Sequence, residues 1–260
     1  MNLGRYKKIF LYGFLICVGT FISHSAYAQT TKEEVRSLFA KANFAYKDGK
    51  YQEAIDIYED IISSGWESGP IYYNLANSYV KKGNVAKAIL NYERAKRLIP
   101  RDSDLIANDG YTESLRKERI QESIQLNFIQ KIIRGIVRRL TFNEMTISLF
   151  TICFLAALIH LFALYYSSFR KEGRLILSIL FFLIFLNAIG IIDKYYEGKD
   201  RYVILRDTDS KFEPKQEATT YFHIYAGSIV KILKDQGIWV KMERPDGKAG
   251  WILKKDIEKI

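Results

Sequence analysis

The sequence predicts a multidomain membrane protein: an all-α helical-repeat solenoid, a two-helix transmembrane hairpin and a small C-terminal all-β barrel. Three observations predict it. The stretch GKYQEAIDIYE, Gly49 to Glu59, returns as GNVAKAILNYE, Gly83 to Glu93, a period of 34 residues. Two uncharged runs, Met145 to Tyr166 and Leu175 to Ile192, are each long enough, at about 1.5 Å per helical residue, to cross roughly 30 Å of hydrocarbon. After Tyr195 the pattern changes to short β-rich runs.

An N-terminal leader precedes these parts. Arg5, Lys7 and Lys8 lead into an apolar stretch from Ile9 to Ile22, and Ala26-Tyr27-Ala28 precedes Gln29. That is the pattern of a cleavable secretory signal over residues 1–28, with an uncleaved anchor as the alternative. On either reading the following segment is exported. Cys17 is no lipoprotein anchor, because Ile16 stands where such signals need a small residue. Cleavage would leave Cys153 as the remaining cysteine, so neither an intramolecular disulfide nor a cysteine metal site is expected.

The formal net charge of +10 suggests nucleic acid until it is divided by segment. The leader carries three net positives, residues 29–120 one, 121–145 two, 167–174 two and 193–260 two. Half or more of the excess thus lies in the leader or beside apolar runs, which is a membrane distribution and excludes a nucleic-acid partner.

Residues 29–120 form the repeat domain. Placing Gly49 over Gly83 sets Ala42-Asn43 on Ala76-Asn77, Ala54-Ile55 on Ala88-Ile89 and Tyr58-Glu59 on Tyr92-Glu93. Each unit reads as two amphipathic helices around a Gly-centred turn. The alanines let helices approach closely, Gly49 and Gly83 permit the turn, and Tyr58 and Tyr92 fill the gaps between neighbouring pairs. A third unit begins and stops, since its turn position is Lys117 and its second-helix alanine position is Glu122. With Asp102 or Ser103 as N-cap, Asp104 to about Arg119 reads as a closing helix. Two repeats and a cap fall short of the roughly three units usually needed for independent stability. Help is expected from the membrane, a partner or a second copy of the chain, that is, a homo-oligomer.

These units resemble the tetratricopeptide repeat. The resemblance implies a concave face lined by the first helix of each pair, here Phe39, Asn43, Tyr46, Lys47, Tyr73, Asn77, Val80 and Lys81. It implies binding of a peptide or protein there. Asn43 and Asn77 stand where carboxylate-clamping members of that family hold a peptide, but Phe39 replaces the lysine such clamps need.

Residues 121–144 carry IQKIIRGIVRRL, in which Ile129, Ile132, Ile133, Ile136, Val137 and Leu140 share one helical face. Lys131, Arg134, Arg138 and Arg139 occupy the other, the pattern of a helix lying on membrane lipids at the interface. Its alternative is a helix packed on the repeat domain. The transmembrane helices are expected at 145–166 and 175–192, joined by a tight cytoplasmic loop at 167–174. Arg170, Lys171 and Arg174 in that loop satisfy the positive-inside rule once the repeats are exported. His160 and Asn187 interrupt the spans and are expected to make helix-to-helix hydrogen bonds.

In residues 193–260, YVIL, TTYFHIY, SIVKIL, IWVKME and KAGWIL read as five strands, with Pro245-Asp246-Gly247 as a turn. From Arg201 to Ile260 the details IYAGSIVKIL, GIWVKM and DGKAGWI resemble a bacterial SH3-like domain. Tyr221, Phe222, Trp239 and Trp251 are candidates for a peptide or cell-wall platform, and the alternative is that both tryptophans close the barrel's open end. His223 lacks metal-ligand spacing. No zinc-helix motif, phosphate loop, dinucleotide fingerprint or nucleophile elbow occurs, so no enzyme, cofactor or metal is expected.

The order of parts over the whole chain is similar to that of the BatE family, membrane proteins named for the Bacteroides aerotolerance operon. That resemblance implies partners among von Willebrand-type membrane proteins and a MoxR-type ATPase, in stress tolerance or envelope assembly. It implies the bacterial inner membrane, with both terminal domains in the periplasm. The expected function is a non-enzymatic scaffold that presents exported binding modules. The alternative is a cell-wall sensor or anchor that binds peptidoglycan through its SH3-like domain.

Overall fold

The computed structural model describes residues 32–115 and 128–260; the leader, Lys117, Glu118 and Glu122 lie outside them. The described chain forms two compact units, one ending at Glu67 and one running from Ser68.

In the first unit, helix α1 (residues 32–47) is followed by α2 (Tyr51–Ser63). Gly49 between them adopts φ 78°, a left-handed backbone that an L side chain adopts only at a cost. The Lys50 N–H donates back to Ala45 O at 2.9 Å. Ala42, Ala45 and Ala54 are buried, as small residues at a close helix contact should be.

The second unit repeats this arrangement in α3 (Gly69–Lys81) and α4 (Val85–Leu98) and adds α5 (Ser103–Ser114). Each start has a side-chain cap: Ser68 Oγ accepts from Ile71 N, Asn84 Oδ1 from Lys87 N and Asp102 Oδ1 from Leu105 N. Gly83 takes φ 75° at the turn equivalent to Gly49. Ala76, Ala88, Tyr92 and Leu105 are buried among the three helices.

Helix α6 (Phe128–Arg139) leads through a bend into α7 (Phe142–Tyr165), and a short turn at Ser167–Phe169 leads into α8 (Arg170–Gly198). Both α7 and α8 are long and apolar enough to cross a membrane. They outrun the uncharged stretches for local reasons. Thr141 and Glu144 form a capping box, in which Thr141 Oγ1 accepts from Glu144 N and a Glu144 carboxylate oxygen accepts from Thr141 N, so α7 starts at Phe142. Arginine, lysine and glutamate are good helix formers, and α8 accordingly begins on Arg170 rather than after the basic loop and continues through Asp193 and Lys194. The two helices pack on each other: Asn187 Nδ2 donates to Ser148 Oγ at 2.6 Å. Gly190 lets Met145 and Val137 approach where a Cβ would collide with the Met145 methyl. Asn187 thus makes the expected interhelical bond, while His160 sits on the outer surface of α7.

The C-terminal region is a seven-stranded antiparallel sheet: β1 (Arg201–Ile204), β2 (Thr208–Lys211), β3 (Thr220–Ile224), β4 (Ile229–Gln236), β5 (Trp239–Glu243), β6 (Ala249–Leu253) and β7 (Ile257–Lys259). The order is β3-β2-β6-β5-β4-β1-β7. Five strands match the apolar runs. The additional β2, TDSK, is polar and pairs through its backbone with β3 and β6. Its approach depends on Gly250, because a Cβ there would fall inside the van der Waals shell of Ser210 Oγ. The additional β7 pairs with β1 after a 3-10 turn at Lys254–Asp256.

Successive residues of β1 point to opposite faces, and both faces are covered. Ile204 enters the sheet's own core with Ile224, Val230, Val240, Met242 and Ile252. Val203 packs instead with Ile89 and Leu90 of α4 and with Ile260. Around this second core Lys87 and Arg94 pair with Glu258 at 3.2 and 3.1 Å, and Arg97 donates to Ile260 O at 2.9 Å. The short solenoid therefore receives its extra cover from the C-terminal sheet of the same chain, a source not among the three expected from the sequence.

Candidate functional site

The repeated asparagines and tyrosines form one motif. In the first unit the buried Tyr58 donates its hydroxyl proton to Asn43 Oδ1 at 2.6 Å, and Phe39 lies 6.0 Å from the Tyr58 ring. In the second unit the buried Tyr92 donates to Asn77 Oδ1 at 2.5 Å. A buried hydroxyl without a partner costs about 1–3 kcal/mol, which explains why each tyrosine comes with an asparagine 15 residues before it. Asn108 of α5 joins the second network, donating to Asn77 Oδ1 at 3.1 Å and to Tyr73 Oη at 2.8 Å.

These bonds divide the expected partner-binding residues by role. Asn43 and Asn77 use their carboxamide oxygens inside the helix pair, and among the described residues the Asn77 nitrogen has no acceptor. Tyr73 and Val80 are half-buried on α3, and Lys81 is exposed at its end. Tyr46 is half-buried on α1, edge-on to Tyr51 at 5.4 Å, and Lys47 is exposed. Two residues escaped the sequence reading. Phe44 on α1 is 65% exposed, a single apolar side chain in solvent. Asn108 belongs to a unit whose repeat pattern had already broken down, so periodicity could not find it.

Glu93, Asp109 and Glu113 bring carboxylate oxygens within 4.8 Å of one another. Cations from the described residues pair with two of its members: Lys96 with Glu93 and, at 2.9 Å, with Asp109, and Arg201 of β1 with Glu93 at 3.2 Å. Burial alone would push the Lys96 pKa down, but the attraction of Glu93 and Asp109 outweighs it and holds the ammonium above its ordinary value. The cluster is a charged joint between α4, α5 and β1.

On the sheet, Tyr221 and Phe222 meet Phe212: the Phe212 and Tyr221 rings lie 4.3 Å apart, and those of Tyr221 and Phe222 4.9 Å. Arg244 stands 5.2 Å from the Phe222 ring centre. Tyr221 is 43% exposed, whereas Trp239 and Trp251 are each 8% exposed and belong to the interior. His223 pairs with Asp209 at 2.8 Å on the surface.

At the basic helix, Arg138 and Arg139 are exposed and Arg134 is half-buried; the Lys131 side chain lies outside the described residues. Val137 is buried and Ile136 is 58% exposed. The C-terminal end of α6 is held from two directions. Lys194 of α8 donates to Val137 O and Leu140 O. Arg101 donates to Arg139 O at 3.2 Å and pairs with Glu144 at 2.5 Å.

Residues 69–102, which span α3 and α4, match the family model of the tetratricopeptide repeat. No curated protein matches the chain. A tetratricopeptide repeat supports a role in protein–protein interaction.

Proposed function

We propose that the chain is a non-enzymatic membrane scaffold that offers its tetratricopeptide face to a protein partner, with the C-terminal sheet as a brace on the same side of the bilayer. One observation carries this reading. The sheet lies after two candidate spans, yet it packs on α4, which lies before them, through Val203, Ile260 and the ion pairs of Lys87 and Arg94 with Glu258. Two crossings return a chain to the side it started from, and one crossing would separate the two surfaces. The repeat face of α3, with Tyr73, Lys81 and the Asn77 nitrogen, then stands near the membrane for a partner that is itself membrane-bound.

The BatE-like order of parts suggests that partner's class: von Willebrand-type membrane proteins of a Bat-type stress or envelope-assembly complex at the bacterial inner membrane, with the repeats and the SH3-like sheet in the periplasm. A second reading, attachment to peptidoglycan, is favoured by the exposed Phe212 and Tyr221 pair. The full chain recovered from membranes in mild detergent should bring its partner with it. Tyr73→Ala with Lys81→Glu should lose that partner while the protein stays folded. Unchanged recovery would refute the repeat face, and cell-wall binding that depends on Tyr221 would favour the second reading.

A further inference from the structure

We infer that the α6 elbow is a binding surface for the anionic headgroups of the leaflet into which α7 descends. The inference rests on the reading that α7 and α8 cross a bilayer. Within 128–140, FIQKIIRGIVRRL, there are four bases and no acid. The elbow is built rather than trailing: Val137 packs at Gly190, and Lys194 holds the last carbonyls of α6. Its C-terminal end is thus fixed beside the first turn of α7 and the last turns of α8, where a spanning hairpin leaves the hydrocarbon. Val137 already covers part of the apolar face, but Ile136 is 58% exposed and Phe142, at the first position of α7, is 46% exposed. Arg138 and Arg139 are exposed on the same two turns. A surface that takes an apolar side chain and several cations, and that begins where a spanning helix begins, is an anionic lipid interface. An acidic protein would also attract the exposed arginines, but it would leave Ile136 and Phe142 at the edge of the bilayer without explanation.

The test uses the full chain with Cys17 and Cys153 replaced by serine. It is reconstituted in bilayers of equal phosphatidylcholine and phosphatidylglycerol. A fluorophore is placed at Ile136→Cys or, as a control, at Phe154→Cys on the outer surface of α7, and one lipid class at a time is brominated. The control should be quenched by both classes. The label at position 136 should be quenched more strongly by brominated phosphatidylglycerol, since each base near an anionic surface contributes about a five-fold preference before screening. Arg134→Gln, Arg138→Gln and Arg139→Gln together should bring the ratio near one, and so should high salt. The matching lysine triple variant should keep the preference, which separates lost charge from a lost fold. Equal quenching by the two lipids, or a quenched control beside an unquenched label at 136, overturns the inference and leaves the spans standing. An unquenched control overturns the spans and the inference with them.

Discussion

Replacing Asn77 by alanine should loosen the second repeat from within, because its main structural debt is to Tyr92. The Tyr92 side chain is 1% exposed, and its hydroxyl donates to Asn77 Oδ1 at 2.5 Å. Alanine takes away that acceptor, and for a buried hydroxyl the cost is about 1–3 kcal/mol. Asn108 loses one acceptor but keeps Tyr73 Oη. Hydrogen exchange of the full chain in detergent reads this locally, since amides in α3 and α4 exchange through opening of that region. Asn77→Ala should therefore speed their exchange about five- to a hundred-fold. Adding Tyr92→Phe removes the hydroxyl itself, and loss of both partners is close to neutral. The double variant should recover at least half of the logarithmic effect, while amides of α8 stay unchanged throughout. If Asn77→Ala leaves α4 protection intact, or if the two substitutions simply add, the asparagine belongs to the partner surface and not to the fold.

Three further outcomes follow from the same contacts. Gly250→Ala should destabilise the β2 and β6 pairing by about 1–3 kcal/mol through overpacking, and Ser210→Ala in the same chain should restore most of it, read as protease resistance at β2. Arg94→Ala with Arg97→Ala should loosen β7 from α4 and speed hydrogen exchange of the amides of Ile257 to Lys259; exchange equal to the parent would mean that the Val203 and Ile260 core suffices alone. Lys96 has a folded pKa above its ordinary 10.5, so its contribution is complete below 10.5 and fades only as pH rises through the higher folded value. In a lysine-methyl NMR titration its signal, assigned with Lys96→Arg, should move after those of exposed lysines, and a midpoint at or below theirs would contradict the ion-pair geometry.

Much of this architecture was legible because packing leaves a period. The 34-residue return of glycine, alanine and tyrosine marked both helix pairs, and Gly49 and Gly83 take the left-handed turns that their positions required. The uncharged runs marked α7 and α8 but not their ends. The Thr141-Phe142-Asn143-Glu144 box was readable and missed. The start of α8 on Arg170 was not readable from hydropathy, because helix propensity and apolarity are separate properties. Strands β2 and β7 lack an apolar signal: one is polar, and the other is three residues long. At the candidate site the repeated Asn–Tyr spacing was visible as a pattern, but its meaning was not. A polar residue at a groove position reads equally as a ligand contact or as the acceptor for a buried hydroxyl until the hydroxyl is located. The docking of the sheet on α4 joins residues more than 160 apart in sequence, such as Arg97 and Ile260, and left no local mark.

The central claim is that the repeats and the sheet stand together on one side of a bilayer, with the short turn at Ser167–Phe169 on the other. Single cysteines in a background without Cys17 and Cys153 measure this directly: Lys82→Cys on the repeats, Lys255→Cys beside β7 and Ser168→Cys in the turn, all at exposed positions. Cells stripped to the inner membrane are treated with a membrane-impermeant maleimide before and after permeabilisation. Lys82→Cys and Lys255→Cys should label in intact cells and Ser168→Cys only after permeabilisation. Labelling of Lys82→Cys and Lys255→Cys from opposite faces, or of Ser168→Cys together with both, would contradict the account.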